Sequence, residues 1–163
     1  MAEPALILDL PDLAATRALA GRLAALLAPG DVVLLEGDLG AGKSELARAV
    51  VRARAQAPVE VPSPTFTLVQ TYELDGLLLG HSDLYRLGHA DEAVELGLEE
   101  LWRQGALLVE WPERAAWLWP QERLEIALSL WPGRGPEARR ARLRGTGRWS
   151  ALIPSLAGCS RSG

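Results

Sequence analysis

From Val32 to Arg52 the chain reads as a short apolar run, a glycine-rich turn and an amphipathic stretch, VVLL, EGDLGAGKS and ELARAVVR. Few folds accommodate all three in that order. Val32-Val33-Leu34-Leu35 carries no polar residue, as in a strand buried on both faces of a parallel sheet. Gly37, Gly40 and Gly42 let the main chain turn tightly and approach an anion closely. After them, Leu46, Ala49 and Val50 recur at helical spacing, so this helix turns one face to the sheet. Gly37-Asp38-Leu39-Gly40-Ala41-Gly42-Lys43-Ser44 matches the phosphate-loop pattern G-x-x-x-x-G-K-[ST] in full. Strand, loop and helix start together aim free N–H groups and the positive end of a helix dipole at phosphate. A glycine turn with an incidental Lys-Ser is the competing explanation, and the flanking strand and helix argue against it. Lys43 is also the only lysine in the chain, all other basic residues being arginine. A compact ammonium serves β- and γ-phosphates better than a planar guanidinium fork.

The 163 residues suffice for one domain with a real core, expected over residues 1–150, with 151–163 as a frayed tail. Net charge is −4, unlike most free-standing nucleic-acid binders, so contact with RNA is expected through a partner. Arg134, Arg139, Arg140, Arg142, Arg144 and Arg148 nevertheless cluster late in the chain. A solvated edge-strand face is the ordinary explanation, and contact with an acidic partner or phosphate is the other. A single cysteine, Cys159, excludes a disulfide framework or a Cys/His metal site. No membrane span or signal peptide is evident, which predicts a cytoplasmic protein.

Around the phosphate loop, Ala5 to Leu8 predicts a strand, and Pro11-Asp12 opens a helix that runs to about Leu27. Thr65 to Leu74 and Leu77 to Leu79 flank Asp75-Gly76, a strong hairpin signal. Ala90 to Gln104 predicts one or two short helices interrupted near Gly97, and Ala106 to Val109 a buried strand. Leu124 to Leu130 and Arg139 to Leu143 predict two further strands around a Pro/Gly-rich turn. The fold class is α/β: a three-layer phosphate-loop NTPase domain with a central mixed, largely parallel sheet carrying an antiparallel hairpin.

Holding phosphate is not hydrolysis, which also needs a hydroxyl and an acid for Mg2+ and a group that orients the attacking water. Ser44 supplies the hydroxyl. Two acids compete for the ion: Glu110, ending an apolar strand as such an acid commonly does, and Asp83, just beyond another strand. The apolar run before Glu110 favours it, and both can serve the same ion. His81, Tyr85 and Arg86 read, taken singly, as structural, packing or surface residues, and Trp111, beside Glu110, reads as core by default with lining the site as the alternative. Ser63-Pro64-Thr65-Phe66-Thr67 is a hydroxyl-rich loop of the kind that can sense a nucleotide.

Together, GDLGAGKS, Ser63-Pro64-Thr65-Phe66-Thr67-Leu68-Val69, His81-Ser82-Asp83-Leu84-Tyr85-Arg86-Leu87, Glu95-Leu96-Gly97 and Glu110-Trp111-Pro112-Glu113 resemble the bacterial TsaE (YjeE) family over most of residues 5 to 145. These are small ATPases of tRNA threonylcarbamoyladenosine synthesis. The resemblance implies slow intrinsic ATP hydrolysis with Mg2+, coupled to the partners TsaB and TsaD. It puts the nucleotide on Gly37, Asp38, Leu39, Gly40, Ala41, Gly42, Lys43, Ser44 and Glu45, the ion on Ser44 and Glu110, and water or metal positioning on Asp83. Thr65 falls on a switch-like segment, and the base is expected between Leu13 and the loop near Gly135. Lys43, Asp83 and Glu110 are the implied catalytic residues.

One departure is Glu45, where many members carry a second hydroxyl; a carboxylate there weakens nucleotide binding unless it turns outward, though it suits the first turn of a helix. The residues after Gly147 match nothing in the family. A small-molecule kinase with Asp83 as base, or an assembly protein without useful hydrolysis, are the alternatives. The chain lacks the guanine-reading N/TKxD motif, which favours ATP.

Overall fold

A computed structural model of the chain describes residues 5–64 and 67–158. The first strand, β1, spans Ala5–Leu10, and helix α1 spans Leu13–Leu26. Asp12 starts α1 by accepting the Ala15 N–H at 2.9 Å, which satisfies one of the free amides of the first turn. The phosphate-loop unit follows as β2, Val32–Glu36, and α2, Lys43–Ala55. Next come β3, Val69–Leu74, and β4, Leu77–Asp83, joined by Asp75 and Gly76 with φ of 49° and 79°. Two positive φ angles in a two-residue loop match the strand twist, so the hairpin signal is realised.

The expected strand start at Thr65 is not, because Leu68 sits at φ 67° and the ladder begins at Val69. Thr65 itself lies outside the described residues. Helices α3, Glu92–Glu95, and α4, Leu98–Gln104, are separated by Gly97 at φ 73°. The remaining elements are β5, Ala106–Glu110, a 3-10 turn at Pro112–Ala115, β6, Leu124–Leu130, β7, Arg139–Gly145, and α5, Arg148–Leu156.

All seven strands form one sheet in the order β1-β7-β6-β2-β5-β4-β3. Pairings β6–β2, β2–β5 and β5–β4 are parallel, while the flanking pairings are antiparallel. The parallel centre explains why β2 and β5 are apolar along their length: helices cover them on both faces. Val33, Leu35 and Leu108 pack with α1, α2 and α5, through Leu19, Leu23, Leu46, Val50 and Trp149. Val32, Leu34, Leu107 and Val109 face the opposite way, onto Leu98 and Trp102 of α4 and onto Trp119. No helix among the described residues is long and apolar enough to cross a membrane.

Two expectations need correction. The arginine-rich strand β7 is not an edge strand, since β1 pairs along its outer side from Ala5↔Arg144 to Leu10↔Arg139. Only its alternate residues Arg140, Arg142 and Arg144 face solvent, opposite buried Ala141 and Leu143. Residues 151–156 also do not fray. They continue α5, whose Trp149, Ile153 and Leu156 are buried at helical spacing. Arg148 pins the start of that helix through two bonds to the buried carboxylate of Asp31, at 2.9 and 2.7 Å.

Candidate functional site

Parallel strands β4, β2 and β5 end side by side, and the site is built across their carboxyl ends. From β2 the chain enters the glycine loop. A Cβ on Gly37 would lie 2.5 Å from the Leu128 carbonyl of β6, so only glycine lets the loop begin this close to the sheet. Gly42, at φ 108°, occupies the cap position of α2, and Lys43 and Ser44 form its first turn.

Lys43 is nearly buried, and its ammonium donates to the carbonyls of Gly37 and, at 3.0 Å, Asp38. The same ammonium stands 3.9 Å from the ring centre of Trp111. Burial lowers the lysine's pKa, opposed by the carboxylates of Glu110, Glu113, Asp83 and Asp38 around it. A cation poor in solvent and ringed by acids is primed for a more negative ligand.

Ser44 Oγ donates to Glu110 Oε1 at 2.6 Å. The other carboxylate oxygen, Oε2, lies 2.6 Å from His81 Nε2. Glu110 is the last residue of β5 and Asp83 the last of β4, and the parallel ladder sets them directly opposite one another. Asp83 accepts the Tyr85 N–H at 3.0 Å. Burial raises the pKa of Asp83; this hydrogen bond opposes the shift and Glu110 adds to it. A cleft of about 480 Å³ opens over these groups, its lining including Gly40, Gly42, Lys43, Ser44, Asp83, Glu110 and Trp111 together with Arg48 and Arg86. Hard oxygen donors and a buried ammonium, set beside loop amides and a helix start, suit a phosphate ligand and a small divalent cation.

A model of the family described as "Threonylcarbamoyl adenosine biosynthesis protein TsaE" matches residues 10–134. The chain belongs to the TsaE family. Among named relatives, TsaE of Rickettsia felis is 40% identical over 115 residues, covering 71% of this chain and 67% of that protein. The Bacillus subtilis TsaE is 44% identical over 115 residues, covering 69% and 70% respectively. The crystal structure of Bacillus subtilis YdiB aligns with a TM-score of 0.78 at 33% identity, covering 96% of this chain and 97% of that one.

In this TsaE-family chain the structure gathers Gly37, Asp38, Gly40, Ala41, Gly42, Lys43, Ser44, Asp83 and Glu110 into one locality. Leu39 sits at the exposed tip of the loop. Glu45 pairs with Arg48 at 3.8 Å along the helix, so its charge is partly answered within α2. Leu13, the first residue of α1, meets Gly42 and Glu45 in a small second cavity beside the loop. Gly135 does not join it: Glu137 of the turn before β7 and Arg139, the first residue of β7, contribute instead.

Three residues gain parts that sequence reasoning withheld. His81 is wholly buried against Glu110, and Trp111 lines the cleft while packing tilted on Tyr85 at 4.8 Å between ring centres. Arg139 reaches back to the loop. The order H-x-D before one strand end and E-W at another was the available signal for His81 and Trp111. The signal for Arg139 was its place in the late arginine cluster, for which contact with phosphate stood as one of two explanations.

Proposed function

We propose that this chain binds ATP with Mg2+ on the GDLGAGKS loop and hydrolyses it slowly, as a switch acting with TsaB and TsaD in tRNA threonylcarbamoyladenosine biosynthesis in the cytoplasm. One observation carries the reading: Ser44, on the first turn of the phosphate-loop helix, is bonded at 2.6 Å to an acid on the neighbouring strand tip, beside the buried Lys43.

The loop amides and the start of α2 hold the β- and γ-phosphates, and Lys43 exchanges its two carbonyl partners for phosphate oxygens. For Mg2+ the donors fit. A hydroxyl and a carboxylate are hard oxygen ligands. That suits an ion that takes few protein ligands and fills its shell with phosphate and water. Ser44 and Glu110 would hold it, with Asp83 close by, and when bound it would neutralise charge on the phosphate oxygens.

Asp83, at the tip of β4, accepts a hydrogen of the attacking water and orients it. His81 holds Glu110 in place from behind. The net charge of −4 leaves tRNA contact to the partners.

Calorimetry with Mg-ADP tests the reading directly. The parent protein gives a saturable heat, and Lys43→Ala gives none. Phosphate release from Mg-ATP is slow for the chain alone and rises when TsaB and TsaD are added. A well-folded parent without any heat would end the proposal.

A further inference from the structure

We propose that Arg139 is a positioning residue of the phosphate-binding loop: its guanidinium holds the Ala41 carbonyl outward and thereby turns the Gly42 amide into the phosphate cradle. This rests on the nucleotide-site reading above and concerns a residue outside the segment matched to the family, 10–134.

Arg139 begins β7, where it pairs with Leu10 of β1 and Leu130 of β6, so its main chain is held on both sides. Its Nη1 donates to the carbonyls of Pro136 at 2.7 Å and Ala138 at 3.0 Å, which fixes the plane of the guanidinium. From that fixed plane Nε donates to the Ala41 carbonyl at 2.8 Å, across 98 residues of sequence. Gly42 makes the approach possible: a Cβ there would stand 3.3 Å from Nε, and its φ of 108° is one that side chains avoid.

The consequence follows from peptide geometry. Ala41 C=O and Gly42 N–H belong to one planar unit, and the chain has no cis peptide among the described residues, so the two groups point in opposite directions. A carbonyl drawn toward Arg139 leaves the amide facing the cleft that Gly42 lines on its other side. A charged donor on the carbonyl also polarises the unit, which makes the opposite N–H a better donor to an anion. Without the guanidinium the Ala41 carbonyl loses this donor, and a flipped unit would present a carbonyl oxygen to the phosphate.

Two simpler roles must be separated from this one. Arg139 could merely tie the turn before β7, or it could act on the base, because it also lines the small cavity shared by Leu13 and Glu45. Calorimetry with magnesium pyrophosphate and with Mg-ADP distinguishes them, using the parent, Arg139→Met and Arg139→Lys, with the exposed Arg142→Ala as a control. Measurements are made where circular dichroism shows each variant folded.

The expected result is a loss of about tenfold or more for both ligands in Arg139→Met, the worth of one charge-assisted hydrogen bond, with Arg142→Ala unchanged. Equal affinity of parent and Arg139→Met for both ligands overturns the proposal. So does a loss confined to Mg-ADP, which would place the residue's action at the base. If Arg139→Met does not fold, Arg139→Lys decides: one ammonium nitrogen cannot stand at both the Nε and the Nη1 positions that fix the guanidinium plane, so a several-fold loss for both ligands is expected, and parental affinity overturns the idea. A parent that binds neither ligand overturns the nucleotide site itself, and this inference with it.

Discussion

His81 and Glu110 meet at 2.6 Å from adjacent parallel strands, the imidazole wholly buried and the carboxylate 2% exposed. Among the described residues His81 Nδ1 has no hydrogen-bond partner, and it is shut off from solvent. A buried N–H without an acceptor costs more than a bare acceptor nitrogen, which assigns the hydrogen to Nε2 and makes it a donor to Glu110. His81→Leu removes that donor and strands one carboxylate oxygen. It should lower stability in urea by about 2 kcal/mol or more, and the double variant His81→Leu/Glu110→Leu should recover part of the loss. Additive losses would mean that the two residues do not act as a pair.

Glu110 has a second duty through Ser44, and binding and turnover should separate in its variants. Glu110→Ala leaves the loop amides and Lys43 intact, so calorimetry should still register Mg-ADP. Phosphate release with TsaB and TsaD present should fall by more than about tenfold. Parental turnover in this variant would remove Glu110 from the site.

Glu36, the last residue of β2, has its pKa raised by burial first and then by the charges of Glu125 and Glu113, against a smaller pull from Arg123 and Arg144. The folded-state value therefore lies above the unfolded one. The stability this carboxyl contributes is complete below the unfolded pKa and is lost as pH rises through the folded one. Glu36→Gln keeps the neutral form at every pH, so its Tm should exceed the parent's near pH 7, and the gap should close on acidification toward pH 4.5. A gap that widened in acid would reverse the sign of the effect.

Trp149 on α5 is among the largest fully buried side chains, packed in the core that α1, α2 and the sheet share. Trp149→Ala should cost about 3–5 kcal/mol in urea denaturation, as for other large aromatic deletions in a core. A cost near zero would show that α5 is an appendage.

That helix is instructive about what the chain discloses before folding. Its apolar residues Trp149, Ile153 and Leu156 stand at helical spacing, yet Pro154 lies inside it and small polar residues follow, and together these resemble a frayed end. The decisive fact, a site on the core that accepts Trp149, belongs to the sheet and not to the segment. Gly145 shows the same thing from the other side: a Cβ there would stand 2.7 Å from that of Trp149.

The arginine cluster divides in a similar way. One composition-level feature becomes a loop anchor at Arg139, a half-exposed partner for the buried carboxylate of Asp31 at Arg148, an exposed pair with Asp9 at Arg140 and open surface at Arg142. Which arginine does which depends on β1 closing over β7, a pairing between residues more than a hundred positions apart. Nothing local encodes it.

From its own residues the chain specified the strand, the glycine loop with its lone lysine, the helix that follows, the Asp75-Gly76 hairpin and the break at Gly97. Each of these rests on backbone sterics and on side-chain periodicity over a few neighbouring positions. The tertiary structure alone decided that Glu110, Ser44 and His81 share one carboxylate, that Trp111 stands over Lys43, and that Arg139 grips the back of the loop. Those contacts join strand tips and loops far apart in the chain, and only the order of strands in the sheet brings them within reach of one another.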